Sequence, residues 1–374
     1  MVYSAKRIGD KWIEGEVWRR GRVVWIKGML RLFGPLSEED RFEGPIRSIV
    51  IIAQEKIGDA ILLTPLIGNL RRALPLTEIH VVSTGPNSHF FKRDPNVDVV
   101  YKLKPGYLPC FKRVRERVFD LLFSPKDHPS FTSLFLSRTI RARYRVGMDH
   151  PYHRGFFNHL IKAEFLSHVV DKNCMLLDFL GIPYSEQQRR PYMPRDEVSK
   201  EVRSFAYEID GKEPIALNLS AGDRKREWPL DKWIDLTAGL GGPVLVFATR
   251  DRIHDKRMLE EMFGQVVTSP VTRSIYEAGE IVRRLGLLIS PDTALIHVAS
   301  CYRVPVVGLY QADPNQVRRF YPYGIPSRCL LSKTDLVRDI SVTDVLEAVR
   351  DMMDGGGQRD DIGAAPVGGG VGSR

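Results

Sequence analysis

Three segments of this 374-residue sequence bring together residue types that could carry out a group transfer. The first, residues 54–65, reads Q-E-K-I-G-D-A-I-L-L-T-P, with Asp59 at the start of an apolar-periodic stretch. A carboxylate there has two readings. It can cap a helix by accepting orphan backbone N–H groups. It can also act as a general base that takes the proton from an attacking hydroxyl. The second, residues 218–228, reads N-L-S-A-G-D-R-K-R-E-W. Ser220, Ala221 and Gly222 precede Arg224, Lys225 and Arg226, and backbone N–H groups beside cations suit a diphosphate. The third, residues 290–300, reads S-P-D-T-A-L-I-H-V-A-S. Asp292 and Thr293 form a turn into a helix, and His297 lies four residues after Thr293 on the same face. A helix start with a hydroxyl and an imidazole nearby suits an anion; a capped helix with a core histidine is the alternative.

Each segment lies where a strand gives way to a helix. Residues 47–53 (R-S-I-V-I-I-A) form a short β-branched run, the pattern of a buried parallel strand. Further strands are predicted at 78–83, 97–102 and 119–123. The pattern restarts near 214, with strands at 214–219, 243–248, 266–268, 287–290 and 304–310. Helices are predicted between them at 230–240, 257–263, 275–285 and 293–301. Such alternation argues for two α/β domains with doubly wound sheets, and ligands of such folds bind at the carboxyl ends of the strands.

Composition narrows the class. With 43% hydrophobic and 27% charged residues, the chain is neither mainly disordered nor collagen-like. Its four cysteines are scattered with no C-x-x-C pair, which argues against a zinc ribbon and for a reducing, cytoplasmic setting. No apolar run reaches 18 residues, and no secretory signal is expected. The fingerprints of dinucleotide-binding and P-loop proteins are missing, as are H-E-x-x-H and G-x-S-x-G. The formal net charge of +9 favours a polyanionic partner. Much of it lies in residues 102–164, where 13 Lys/Arg face five Asp/Glu, a hint of an acidic acceptor. No nucleic-acid motif accompanies it, so nucleic acid is not expected.

The first 45 residues differ from the rest. On a helical wheel Arg20, Lys27 and Arg31 share one face and Trp18, Trp25, Met29 and Phe33 the other. That is the pattern of an interfacial helix on an anionic membrane, and equally of a helix packed on its own domain. The domain plan is therefore a basic amphipathic extension (1–45), an α/β domain (46–195), a second α/β domain (196–353) and a Gly-rich tail (354–374).

Taken together, the segments resemble glycosyltransferase family 9, the heptosyltransferases of lipopolysaccharide core assembly. Ile57-Gly58-Asp59 through Thr64-Pro65 matches the family's first-strand motif, and Trp228-Pro229 its second-domain entry. Asp292, Thr293, His297, Val304-Pro305, residues 310–314 and Pro322-Tyr323-Gly324 match its donor motif. The resemblance spans roughly residues 46–350. Three positions depart: Arg226 stands for a lysine, Ala294 for a glycine, and Ala248-Thr249-Arg250, followed by Asp251, for Gly-Gly-Pro.

The resemblance implies a GT-B fold, two facing Rossmann-like domains with the active site in the cleft between them. It implies inverting, metal-independent transfer of a heptose from ADP-heptose to an acidic inner-core glycolipid, without a cofactor, at the cytoplasmic face of the membrane. Asp59 would be the base. Ser220, Lys225, Arg226, Asp251, Asp292, Thr293, Ala294 and His297 would bind the donor. Another nucleotide-sugar serving a different surface glycan is the first alternative, and a catalytically silent nucleotide-binding relative the second.

Overall fold

The computed structural model describes residues 6–8, 11–13, 16–38, 44–53, 56–85, 87–103 and 108–355. The strands among them are β1 (Lys6–Ile8), β2 (Lys11–Ile13), β3 (Ser48–Ala53), β4 (Glu78–Thr84), β5 (Val99–Leu103), β6 (Val118–Ser124), β7 (Arg141–Met148) and β8 (His159–Ile161). They continue with β9 (Ile215–Asn218), β10 (Val244–Phe247), β11 (Leu287–Pro291), β12 (Val306–Tyr310) and β13 (Ser327–Leu331). Strands β1 and β2 pair antiparallel in a two-stranded sheet, and the others form a six-stranded sheet, β5-β4-β3-β6-β7-β8, and a five-stranded sheet, β10-β9-β11-β12-β13. Every pairing in the two larger sheets is parallel. Counted along the chain, the first sheet has the order 3-2-1-4-5-6 of dinucleotide-binding folds. The second has the same order once the parallel bridge Val244–Val266 is included. The strand expected at 266–268 is no longer than that bridge, held by Val267 N–H to Val244 O at 2.9 Å. It lies at the sheet edge between Gly264 and Pro270, both of which limit pairing. Strands β3, β9, β10, β11 and β12 are buried along their whole length, as their unbroken apolar runs require.

Packing divides the chain into two compact units. The first comprises Met1–Gln54, Leu74–Ser88 and Val97–Phe165, the second Glu55–Ala73, His89–Asn96 and Leu166–Arg374. The boundary expected at 195/196 follows the order of the chain, whereas the packing draws the line elsewhere. The helix Ile57–Ala73, which joins β3 to β4, belongs with the second unit. It is buried without a break from Ala60 to Ile67, so it needs apolar neighbours on every side. Within its unit, Asn173 donates to Leu62 O at 3.0 Å in a buried bond.

Pro65 stands inside this helix and cannot donate to the carbonyl of Ile61. The Thr64 hydroxyl donates to that carbonyl instead, at 2.7 Å, and accepts the Tyr192 N–H at 2.9 Å. The Thr-Pro pair is thus a self-compensating break. It also fastens the helix to the segment leading into the helix Lys200–Glu208.

The N-terminal helix, Glu16–Phe33, packs on its own unit. Ile26 and Met29 are each 7% exposed in a core that includes Val50, Phe119 and Leu134. Trp25 lies against Phe131, and Phe33 against Phe135. The Arg138 guanidinium donates to the carbonyls of Phe33 and Gly34, both at 2.8 Å. Membrane insertion by Trp25, Met29 and Phe33 is therefore corrected, because their own unit, with the helix Phe131–Thr139 against Trp25 and Phe33, occupies that face. Lys27 and Arg31 point outward, while the Trp18 and Arg20 side chains lie outside the described residues, as does the tail beyond 355. Among the described residues no helix is long and apolar enough to cross a membrane.

Part of the basic stretch is also structural. Arg145 donates to the carbonyls of Ser137, Ala142 and Ile140, and burial pushes it down to about 10. Arg138 and Arg145 are thus engaged within the fold rather than offered to an acidic acceptor.

Candidate active site

The carboxyl ends of β9, β11 and β12 carry most of the predicted donor residues. The loop after β9 is anchored by Trp228, which is fully buried. Its indole N–H donates to Ile340 O at 3.1 Å, and its ring meets Trp233 edge-on at 4.8 Å. That anchor sets the directions of the preceding cations. Arg226 turns toward the end of β11, with Nη1 3.0 Å from Asp292 Oδ2 and 3.1 Å from the Asp292 carbonyl. Lys225 turns away and pairs with Asp335 at 2.5 Å, with both side chains more than half exposed.

Asn218, the last residue of β9, ties the loops together. Its amide donates to Ser290 Oγ at 2.9 Å and to Thr293 Oγ1 at 3.1 Å, and its carbonyl oxygen accepts from Ser220 N–H at 3.2 Å. Ser220 Oγ in turn accepts the Thr249 N–H at 2.7 Å. Thr293 is the N-cap of the helix Ala294–Tyr302, but its side chain makes no capping bond. The first-turn N–H groups of that helix are left without a side-chain cap, and such groups favour an anion.

His297 lies three residues into this helix and is only 5% exposed. Burial lowers its pKa to about 4, with the nearby Asp292 carboxylate opposing the shift, so the ring is neutral at pH 7. Its Nδ1 is buried with no hydrogen-bond partner in the protein. The other edge of the ring lies against Gly58. A Cβ on Gly58 would stand 2.9 Å from His297 Cδ2 and 3.9 Å from Ala294 Cα.

Asp59 is not the N-cap considered from sequence. The helix starts at Ile57, so Asp59 is its third residue, and its carboxylate accepts the Lys56 N–H at 3.1 Å. That is the backward reach of a capping box. The glycine before Asp59 thus touches His297 within one packed unit.

The structure therefore joins Ser220, Arg226, Asp292, Thr293, Ala294 and His297 around the ends of β9 and β11. It does not bring Lys225 to them, and Asp251 sits on an exposed turn held through Thr249. Sequence reasoning missed Ser290 and Gln311, the latter accepting from Arg226 Nε at 3.4 Å. It also missed His168, which caps the helix Val169–Phe179. Its Nδ1 accepts the Val170 N–H at 3.1 Å and its Nε2 donates to Tyr321 O at 3.0 Å, which fixes a neutral tautomer. A single histidine carries no such signal in sequence, since its partners lie far along the chain. Among the described residues, no three His, Cys, Asp or Glu side chains converge to hold a metal ion.

The buried histidines make stability depend on pH. His168 and His297 are lowered to about 3 and about 4, chiefly by burial, and unfolding restores ordinary values near 6.5. The unfolded chain then binds the extra protons. Their contribution is complete above about pH 6.5 and is lost as pH falls toward the folded values. Each histidine should remove about 1.4 kcal/mol per pH unit in that window. Urea unfolding at pH 7 and pH 5 measures this, and equal stability at both would refute it.

Known proteins are similar to this chain in sequence and in fold. The family model for glycosyltransferase family 9 (heptosyltransferase) matches residues 108–349. The lipopolysaccharide core heptosyltransferase OpsX of Haemophilus influenzae is 20% identical over 280 residues, 71% of this chain and 79% of that protein. The lipopolysaccharide heptosyltransferase 3 of Escherichia coli is 22% identical over 278 residues, 68% and 81% of the two chains. Among solved structures, a family 9 glycosyltransferase from Veillonella parvula superposes with a TM-score of 0.66 at 21% identity, covering 85% of this chain and all of that one. The E. coli heptosyltransferase WaaC with ADP superposes with a TM-score of 0.62 at 14% identity, covering 82% and 98%. The fold is of the GT-B type that these structures share, and the match over most of the chain makes this protein a glycosyltransferase of family 9, the heptosyltransferase family.

Proposed function

We propose that this glycosyltransferase moves a heptose from ADP-heptose to an acidic inner-core acceptor of lipopolysaccharide, with inversion and without a metal ion. The Asp59 carboxylate takes the proton of the acceptor hydroxyl. The freed oxygen attacks the anomeric carbon, and the bond to the diphosphate breaks with its electron pair left on the phosphate oxygen. Arg226, the Thr293 hydroxyl and the first-turn N–H groups of the helix Ala294–Tyr302 hold that developing charge. The observation that carries this reading is the contact between Gly58 and His297, which puts the base-bearing helix and the donor residues in one packed unit. The names of the relatives, heptosyltransferases of lipopolysaccharide and one structure with ADP, support the sugar and the base. Exposed Lys112, Arg113, Arg141 and Arg143 of the first unit support an acidic acceptor.

A second reading, another nucleotide-sugar for a different glycan, is favoured by Ala294 and by Ala248-Thr249-Arg250, where the family pattern is glycine-rich. Thermal unfolding with ADP, UDP and GDP separates the two. The preferred diphosphate at about 100 times its Kd adds roughly 2.7 kcal/mol of stability. ADP should give the largest shift, and turnover of ADP-heptose should persist in EDTA. A larger shift with UDP or GDP would favour the second reading, and loss of turnover in EDTA would exclude the metal-free mechanism.

A further inference from the structure

We propose that Gly58 is a positioning residue for the transfer: its bare Cα is the surface on which the His297 ring rests, and this contact registers the helix carrying Asp59 against the helix that begins at Ala294. The proposal rests on the roles given above to Asp59 and the donor residues.

Glycine in a helix costs about 1 kcal/mol relative to alanine, so its presence in the first turn calls for an offsetting reason. Backbone freedom is not that reason, since Gly58 is not among the glycines with positive φ. Space is. An added Cβ would come within 2.9 Å of His297 Cδ2 and 3.4 Å of its Nε2. Neither partner can easily give way. The imidazole is almost fully buried on a helix whose residues Ile296–Cys301 are all buried. The helix Ile57–Ala73 is fixed at Thr64 by Tyr192 and at Leu62 by Asn173. At Gly68 of the same helix an added Cβ would stand 3.1 Å from Tyr192 Cε1, so the helix uses glycines twice to approach neighbours closely. Only Gly58 adjoins the candidate base.

Displacement at Gly58 therefore reaches both sides of the reaction. Asp59 is the next residue, and the Ala294 backbone, 3.9 Å from the added atom, opens the helix whose N–H groups face the diphosphate. Misplacement of about 1 Å can cost about a hundredfold in rate, so a few tenths of an ångström should cost about tenfold.

The test is a double-mutant cycle of Gly58→Ala and His297→Ala in the full chain, followed by thermal unfolding and by turnover of ADP-heptose. Gly58→Ala alone should stay folded and lower kcat about tenfold, with a smaller change in donor KM. In the His297→Ala background the ring is gone, and Gly58→Ala should then cost less than about twofold in kcat and raise Tm, as a helix Gly→Ala change does. Equal losses in both backgrounds, or an unchanged kcat in the single variant, would overturn the proposal. The two readouts also separate this proposal from the reaction assignment. Coupling in Tm between Gly58 and His297 reports the contact whatever the substrate, whereas a wild-type chain inert toward ADP-heptose refutes the assignment alone.

Discussion

Replacing Asp59 with asparagine should lower turnover by about 10²–10⁴-fold, the usual worth of general acid–base catalysis. Asparagine keeps the size of the side chain, and its amide oxygen can still accept the Lys56 N–H that the carboxylate accepts at 3.1 Å. Helix and fold should therefore survive, and only the capacity to take a proton should be lost. Nucleotide affinity should change little, because in the proposed reaction the diphosphate is held by Arg226 and the helix start at Ala294. Steady-state kinetics with ADP-heptose, together with Tm and nucleotide binding, test each part. Normal turnover with a small change in Tm would show Asp59 to be a helix-start residue and nothing more.

The second large effect belongs to Arg226. Arg226→Ala should weaken binding of the nucleoside diphosphate by about 10–150-fold, the worth of a charge-assisted hydrogen bond. The loss has two sources. The cation goes, and Asp292, now paired with it at 3.0 Å, is left as an unpaired carboxylate beside the helix start. Arg226→Lys should recover part of the affinity but not all, since lysine lacks the fork that reaches both Asp292 and Gln311. Lys225→Ala should change affinity less than about fivefold, because its partner is the exposed Asp335 and such surface pairs are weak. Calorimetry on the three variants decides it, and a larger loss for Lys225 than for Arg226 would reverse the assignment.

Much of this arrangement was legible in the sequence because strand ends and helix starts leave local signatures. The runs around Ile49, Ile215 and Leu287 announced buried parallel strands, and Asp292-Thr293 announced a helix start. What stayed hidden was long-range. Nothing near Lys225 or Arg226 says which one turns inward, since the choice depends on Trp228 finding Ile340 and on Asp335 waiting more than a hundred residues away. The wheel of the N-terminal helix showed an apolar face but not what covers it. A hydrophobic stripe has the same spacing whether lipid or Phe131 and Phe135 lie against it. Asp59 lies three positions past the N-cap, a shift that turns an apparent N-cap into a residue reaching back.

The helix Ile57–Ala73 has one more consequence, for anyone recombining such enzymes. By chain order it sits inside the first sheet's run of strands, yet it packs with the second unit, as do residues 89–96 and 166–195. A chimera joined at the linker near 195 would graft a foreign C-terminal half against a resident helix, setting one parent's glycine against the other's imidazole. Exchange of donor preference therefore calls for a discontinuous cassette: residues 55–73 and 89–96 should travel with 166–355, so that each helix keeps the neighbour it was selected beside.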